Sequence, residues 1–208
     1  RYGGMPTGIA TLPETYEDWE FSHPDKMDLA AMGRVWYLEA AARTHMGDGQ
    51  GLVASIRKVC EVGRASGYYW RERYAAKGPH GVEKYCEYPA NLIRIVQRFL
   101  LGVEFRVDGS LVMAPTVPDD YWTAGFGQTL TWRNRTLSYR FQGDCLTGDY
   151  RGDGPQPLEV RFSRAPHNAT AAVKVDGQVI AHAKGNVVTV QLPAATAESC
   201  HFEVSWGE

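Results

Sequence analysis

The sequence is poor in the features that announce common chemistries. Its four cysteines, Cys60, Cys86, Cys145 and Cys200, are widely spaced. None forms a C-x-x-C pair, so a zinc or dithiol redox site is not expected. They read instead as small, buried or half-buried hydrophobes. Positive charge is not in excess, since 22 Lys and Arg stand against 24 Asp and Glu, a net charge of −2. A phosphate-reading surface needs a basic footprint, so no nucleic-acid partner is expected. No apolar run approaches the ~20 residues of a membrane span, and no membrane partner is expected either. The start carries no secretory apolar core. The first residue is Arg1 rather than Met, so the chain is expected to begin inside a longer protein. A phosphate-binding glycine loop, a zinc-helix signature and a G-x-S-x-G elbow are all missing, and the six histidines are scattered. No metal or organic cofactor is implied.

What remains is an ordinary globular composition with one unusual concentration. The chain has 208 residues, 44% hydrophobic and 22% charged, which fits one or two folded domains. Between Tyr68 and Tyr88 lie six large rings (Tyr68, Tyr69, Trp70, Tyr74, Tyr85, Tyr88) with carboxylates at Glu72, Glu83 and Glu87. Functional residues concentrate on loops carried by a rigid scaffold, so this stretch is the candidate site. Residues 1–22 repeat the chemistry, with Glu14, Glu17, Asp18 and Glu20 among Tyr16, Trp19 and Phe21. They read equally as a surface connection or as a second wall of the same cleft.

The scaffold is legible from periodicity. Ser22-His-Pro-Asp25 opens a helix running to Met46, with Leu29, Met32, Trp36 and Ala40 at helical spacing. Gly47-Asp48-Gly49 stops it, and a second helix is expected over 50–62, packed antiparallel on the first. A third helix is expected over 89–101, apolar on more than one side and therefore buried. From Val103 the pattern changes to short alternating runs with Asp108-Gly109 and Asp176-Gly177 as hairpin turns. These read as an antiparallel β-sandwich. The fold class is therefore α+β, with a helical domain over 1–102 and a β-sandwich over 103–208. Trp122, Phe126, Trp132 and Tyr139 read more readily as core than as a sugar-binding face.

Carboxylates beside aromatic rings are the material of glycoside hydrolysis. One acid protonates the leaving oxygen and a second carboxylate activates water, about 6–10 Å away for inversion or ~5 Å for retention. The order of parts adds a resemblance. A helical hairpin, a Y-Y-W-x-x-x-Y loop, then Val82-Glu-Lys-Tyr85, a helix and a β-module are similar to the C-terminal end of a six-hairpin (α/α)6-barrel glycosidase. The group is that of trehalases, glucoamylases and mannosyl-oligosaccharide glucosidases, whose E-[KNQ]-[YF] motif carries the general base. The resemblance covers residues 1–102 and implies a partial (α/α)6 toroid with Glu83 as base. It also matches Leu12-Pro13-Glu14 to a loop that supplies a cleft carboxylate.

The usual start of the last barrel helix is replaced by Tyr88-Pro-Ala-Asn91, which leaves Glu87 as the alternative base. Residue by residue, the expected site is Glu83 or Glu87 for catalysis, with Glu14, Trp19, Tyr69, Trp70, Arg71 and Tyr85 lining a sugar subsite. The general acid of such enzymes comes from an earlier hairpin, so the expected partners are a carbohydrate substrate and the rest of a parent barrel. Two alternatives stay open. One is a non-catalytic carbohydrate-binding or scaffold module. The other is a glycoside phosphorylase, which would favour a basic pocket near Arg71 and Arg73. Glu83 also reads as a plain solvated loop charge.

Overall fold

The computed structural model describes residues 31–75, 78–166 and 168–207. The expectations placed on residues 1–30, including Glu14, Trp19 and the helix start near Ser22, lie outside the described residues. The chain is mixed α+β and divides into two compact units between Leu100 and Leu101.

The first unit opens with a two-residue strand, β1 (Ala31–Met32), where a helix was expected. Helix α1 spans Gly33–His45 and buries Trp36, Glu39 and Ala40. Helix α2 spans Gly49–Ala65. Asp48 caps it by accepting the Gly51 N–H at 2.8 Å, which satisfies one of the orphan donors of a helix start. Arg43 binds the link from the other side. Its Nε donates to Glu39 Oε1 at 2.8 Å and its Nη1 pairs with Asp48 Oδ2 at 2.5 Å. Trp36 crosses between the helices and donates its indole N–H to Ser55 Oγ at 2.8 Å.

The stretch expected as an open loop is partly a small sheet. Strands β2 (Arg73–Ala75) and β3 (Gly78–His80) form a hairpin, and β1 pairs with β2. Helix α3 runs over Glu87–Ile95 and continues as a π-helical turn, Val96–Leu100. It buries Tyr88, Asn91 and Ile95 but leaves Ile93 71% exposed, so it is not enclosed on all sides as expected. Trp36, Val59, Trp70, Tyr74, Tyr88, Ile95 and Phe99 form the core of this unit. Among the described residues no helix is long and apolar enough to cross a membrane.

The second unit is built from two sheets. Its short strands are β4 (Val103–Phe105) and β5 (Leu111–Met113), with helix α4 (Asp119–Ala124) after them. Strands β6 (Phe126–Trp132), β7 (Arg135–Gln142), β8 (Cys145–Gly152) and β9 (Gln156–Arg161) follow. Strands β10 (Thr170–Val175), β11 (Gln178–Lys184), β12 (Val187–Leu192) and β13 (Ala195–Gly207) complete it. One sheet has the order β11-β10-β13-β8-β7-β6 and the other β12-β9-β5-β4. Their inner faces share one core.

The sheets are not wholly antiparallel as expected, because β5 runs parallel to β9. Strand β8 was not anticipated from the sequence. Gly148 sits there because a Cβ would come within 2.6 Å of the Phe202 ring, its cross-strand partner. Burial pushes the Tyr139 hydroxyl up to about 12, against a smaller opposing effect of the Gln128 amide bonded to it at 2.9 Å. Trp122 and Tyr139 are buried, so this pair forms core rather than an exposed sugar platform. Cys200 is buried and Cys60 and Cys145 half-buried, whereas Cys86 is exposed, contrary to expectation.

Trp122 holds this core together at one end. Phe126, Phe141 and Phe162 meet its ring edge-on at 5.0, 5.5 and 5.1 Å. Replacing it with alanine is expected to cost ~3–5 kcal/mol. Urea unfolding of W122A measures this, and a loss below about 1 kcal/mol would refute the packing account.

Candidate functional site

The site is built by the way helix α2 ends. Gly67 takes a left-handed backbone (φ 65°), and the Tyr68 N–H then reaches the Gly63 carbonyl at 2.5 Å while the Gly67 N–H reaches Arg64 O at 3.3 Å. This is the paired helix-terminating motif that glycine favours. The Ser66 hydroxyl adds a bond to Val62 O at 3.0 Å. The next residue is Tyr68, which is also left-handed (φ 63°). For an L-residue with a side chain that costs roughly 1–2 kcal/mol. Two successive left-handed residues turn the chain back along the helix it has just left.

Trp70 is where that reversal lands. It is 3% exposed and donates its indole N–H to Val59 O at 3.2 Å. Its ring lies against Gly63, where any Cβ would collide with it. The expectation that Trp70 lines a sugar subsite is therefore corrected, because its faces are covered by α2. Tyr68 meets it edge-on at 6.1 Å.

The residues flanking Trp70 point outward. The segment 70–72 forms a two-rung ladder with 82–85. Tyr85 N–H donates to Trp70 O at 2.9 Å, and Glu72 N–H to Val82 O at 3.0 Å. On the outer side Arg71 Nη2 pairs with Glu83 Oε1 at 2.5 Å, and Arg71 Nη1 donates to Gly81 O at 3.3 Å. The Glu83 side chain is 68% exposed. Lys84 is a third left-handed residue (φ 53°), and it carries its ammonium to 4.9 Å above the Tyr69 ring. Tyr68 and Tyr69 are 59% and 58% exposed. Tyr85 is half-buried.

The structure thus brings Tyr69, Arg71, Glu83 and Lys84 to one short ladder and sets Trp70 beneath it. The part played by Lys84 was missed in the sequence. No sequence signal marks it, since the contact depends on the left-handed backbone at Lys84.

Glu87 takes a different position. It occupies the first turn of α3, packed so closely on α1 that a Cβ on Gly33 would come within 2.8 Å of its Cγ. Among the described residues its Oε2 is buried with no hydrogen-bond partner, as is the hydroxyl of Tyr88. Burial, reinforced by Tyr74 and Glu87, drives the Tyr88 phenol far up. Tyr74 meets Tyr88 edge-on at 5.7 Å, and its hydroxyl accepts the Arg71 backbone N–H at 3.0 Å. Among the described residues no group of three or more His, Cys, Asp or Glu is placed to hold a metal ion.

Two expectations follow from this geometry. Gly63→Ala should dislodge the Trp70 ring, at a cost of ~1–3 kcal/mol for overpacking. Tryptophan emission should shift to the red, and an unchanged spectrum would remove Trp70 from its role. The second concerns acid. The Val82 N–H, helped by Arg73 and by Arg34, holds Glu72 below its ordinary value of 4.5. A carboxyl depressed in the folded state stabilises fully above its unfolded value and loses that contribution as pH falls through the folded value. Wild type should therefore lose stability below about pH 4.5 more steeply than Glu72→Gln, as thermal melts from pH 6 to pH 2.5 report. Parallel curves would exclude Glu72 as a latch.

No protein-family model matches the chain, and no curated protein matches it. Among solved structures it is similar to a GH30 endoxylanase from Clostridium papyrosolvens C71, at 15% identity over 38% of this chain and a TM-score of 0.27. An alpha-L-rhamnosidase from Dictyoglumus thermophilum is similar at 13% identity over 65% of this chain, with a TM-score of 0.40. A GH127 beta-L-arabinofuranosidase from Geobacillus Stearothermophilus T6 is similar at 11% identity over 64%, with a TM-score of 0.37. The chain spans 22%, 16% and 21% of the lengths of those three structures.

Proposed function

We propose that the ladder formed by residues 68–72 and 81–85 faces a carbohydrate, in the C-terminal part of a glycoside hydrolase. In this reading α1, α2 and α3 are part of an (α/α)6 toroid. Glu83 deprotonates the attacking water, and hydrolysis proceeds with inversion. Tyr69, Arg71 and Tyr85 shape the subsite, and Trp70 supports it from below. The general acid comes from outside the described residues, with Glu14, Asp18 and the parent protein as its candidate sources. No metal or cofactor takes part.

The observation that carries the reading is Glu83. Its carboxylate is largely exposed and oriented by the Arg71 guanidinium, and the next residue, Lys84, lies over the exposed Tyr69 ring. A positioned base contributes about 10²–10⁴-fold to such a reaction. Glu83→Gln in the full-length parent protein should lower kcat by that range on a panel of aryl glycosides and leave the melting temperature near that of wild type. Activity within threefold of wild type would falsify the assignment of Glu83.

The Arg71 contact also favours a second reading. One Glu83 oxygen is already engaged, which suits a loop that binds sugar without cleaving it. That reading expects saccharide binding, measured by calorimetry, with no turnover in the full-length protein.

A further inference from the structure

We propose that the ladder selects an anionic sugar, a pyranoside carrying one carboxylate, and that Lys84 is the group that recognises it. This rests on the reading that the ladder faces a carbohydrate. Arg71 is paired with Glu83, and Arg73 Nε with Glu72 Oε1 at 3.2 Å. Lys84 has no acidic partner among the described residues. Its ammonium rests on the Tyr69 ring, which attracts a cation but accepts no strong hydrogen bond. Among the described residues the three donors of Lys84 are thus left without carboxylate or carbonyl acceptors.

The backbone supports the same conclusion. Lysine has no intrinsic preference for a left-handed φ, whereas Lys84 adopts one at 53°. Strain at a residue with a side chain points to a demand on that side chain's position. Here the outcome is an ammonium held over an exposed ring, with a second exposed ring, Tyr68, on the adjoining turn. The exposed parts of the two tyrosines offer apolar surface to a sugar ring, and the ammonium offers one positive charge to an exocyclic acid. A monoanion matches that single charge. A phosphate dianion would leave one negative charge uncompensated beside Glu83, and the Arg71 fork is already committed to Glu83 and Gly81.

The test is calorimetric titration of the full chain with a galactose trimer carrying a single terminal galacturonic acid and with the neutral galactose trimer, at low salt. Wild type should bind the acidic trimer at least tenfold more tightly, with the difference shrinking as salt rises. Lys84→Met keeps the stem and removes the charge. It should abolish the preference and leave affinity for the neutral trimer unchanged, with Lys84→Gln as a second variant should Met perturb folding. Equal affinity for both trimers in wild type, or a preference that survives in both variants, overturns the acid selectivity while the carbohydrate reading stands. Binding of neither trimer overturns both.

Discussion

The burial of Trp70 against the last turns of α2 is the constraint on which the candidate site depends. A single ring fixes the direction in which the chain leaves the helix. Gly63 makes room for it, Val59 accepts its N–H, and Gly67 with Tyr68 supplies the reversal that brings it back. With Trp70 inward, the alternation of an extended segment sends Tyr69 and Arg71 outward. Tyr85 N–H then closes on the Trp70 carbonyl, which aligns Glu83 and Lys84 with those two residues. The exposed groups of the site are thus placed by a buried one.

Beneath the ladder the aromatic core continues. Trp36, Tyr74 and Tyr88 link α1, β2 and α3, with Trp36 to Tyr88 at 6.1 Å and Tyr74 to Tyr88 at 5.7 Å. Among the described residues three polar atoms of this unit, Glu39 Oε2, Glu87 Oε2 and the Tyr88 hydroxyl, are buried without partners. Such atoms are costly where nothing bonds them, and native proteins keep few. All three lie on α1 or in the first turn of α3. The unit around the ladder is therefore rigid in its aromatic packing and strained at its surface turns.

Much of this scaffold was legible in the sequence. Helices α1 and α2 follow from the spacing of Trp36, Ala40, Leu52 and Val59, and the hairpins at Asp108-Gly109 and Asp176-Gly177 from turn chemistry that works locally. The failures share one cause, which is that a residue's role is set by a partner distant in sequence. Trp70 in a glycine-flanked loop looks like a surface platform until Gly63 is known to be the pocket for it. Gly148 lies in a strand beside Phe202, distant in sequence, which fills the space a Cβ would take. Strand β5 is three residues long, and nothing in those residues distinguishes a parallel from an antiparallel neighbour. At the site, the clustering of Tyr69, Arg71 and Glu83 was readable from composition, but the pairing of Lys84 with Tyr69 requires the left-handed backbone.

The ion pairs of the ladder serve orientation more than stability. Arg71–Glu83 is largely exposed, and exposed pairs contribute about 0–1 kcal/mol, less than the strain of one left-handed residue. Among the described residues four with side chains are left-handed, Tyr68, Lys84, Arg133 and Asp176, but only Tyr68 and Lys84 flank a cluster of exposed rings and charges. A loop selected for stability alone would place glycine at those two positions, as the chain does at Gly67 and Gly81. Retaining tyrosine and lysine there keeps an aromatic face and a cation where the backbone disfavours both. That arrangement is stable only because the Trp70 anchor and the aromatic core behind it offset the strain, so the chemistry of the exposed face and the packing of the buried one are a single requirement on the sequence.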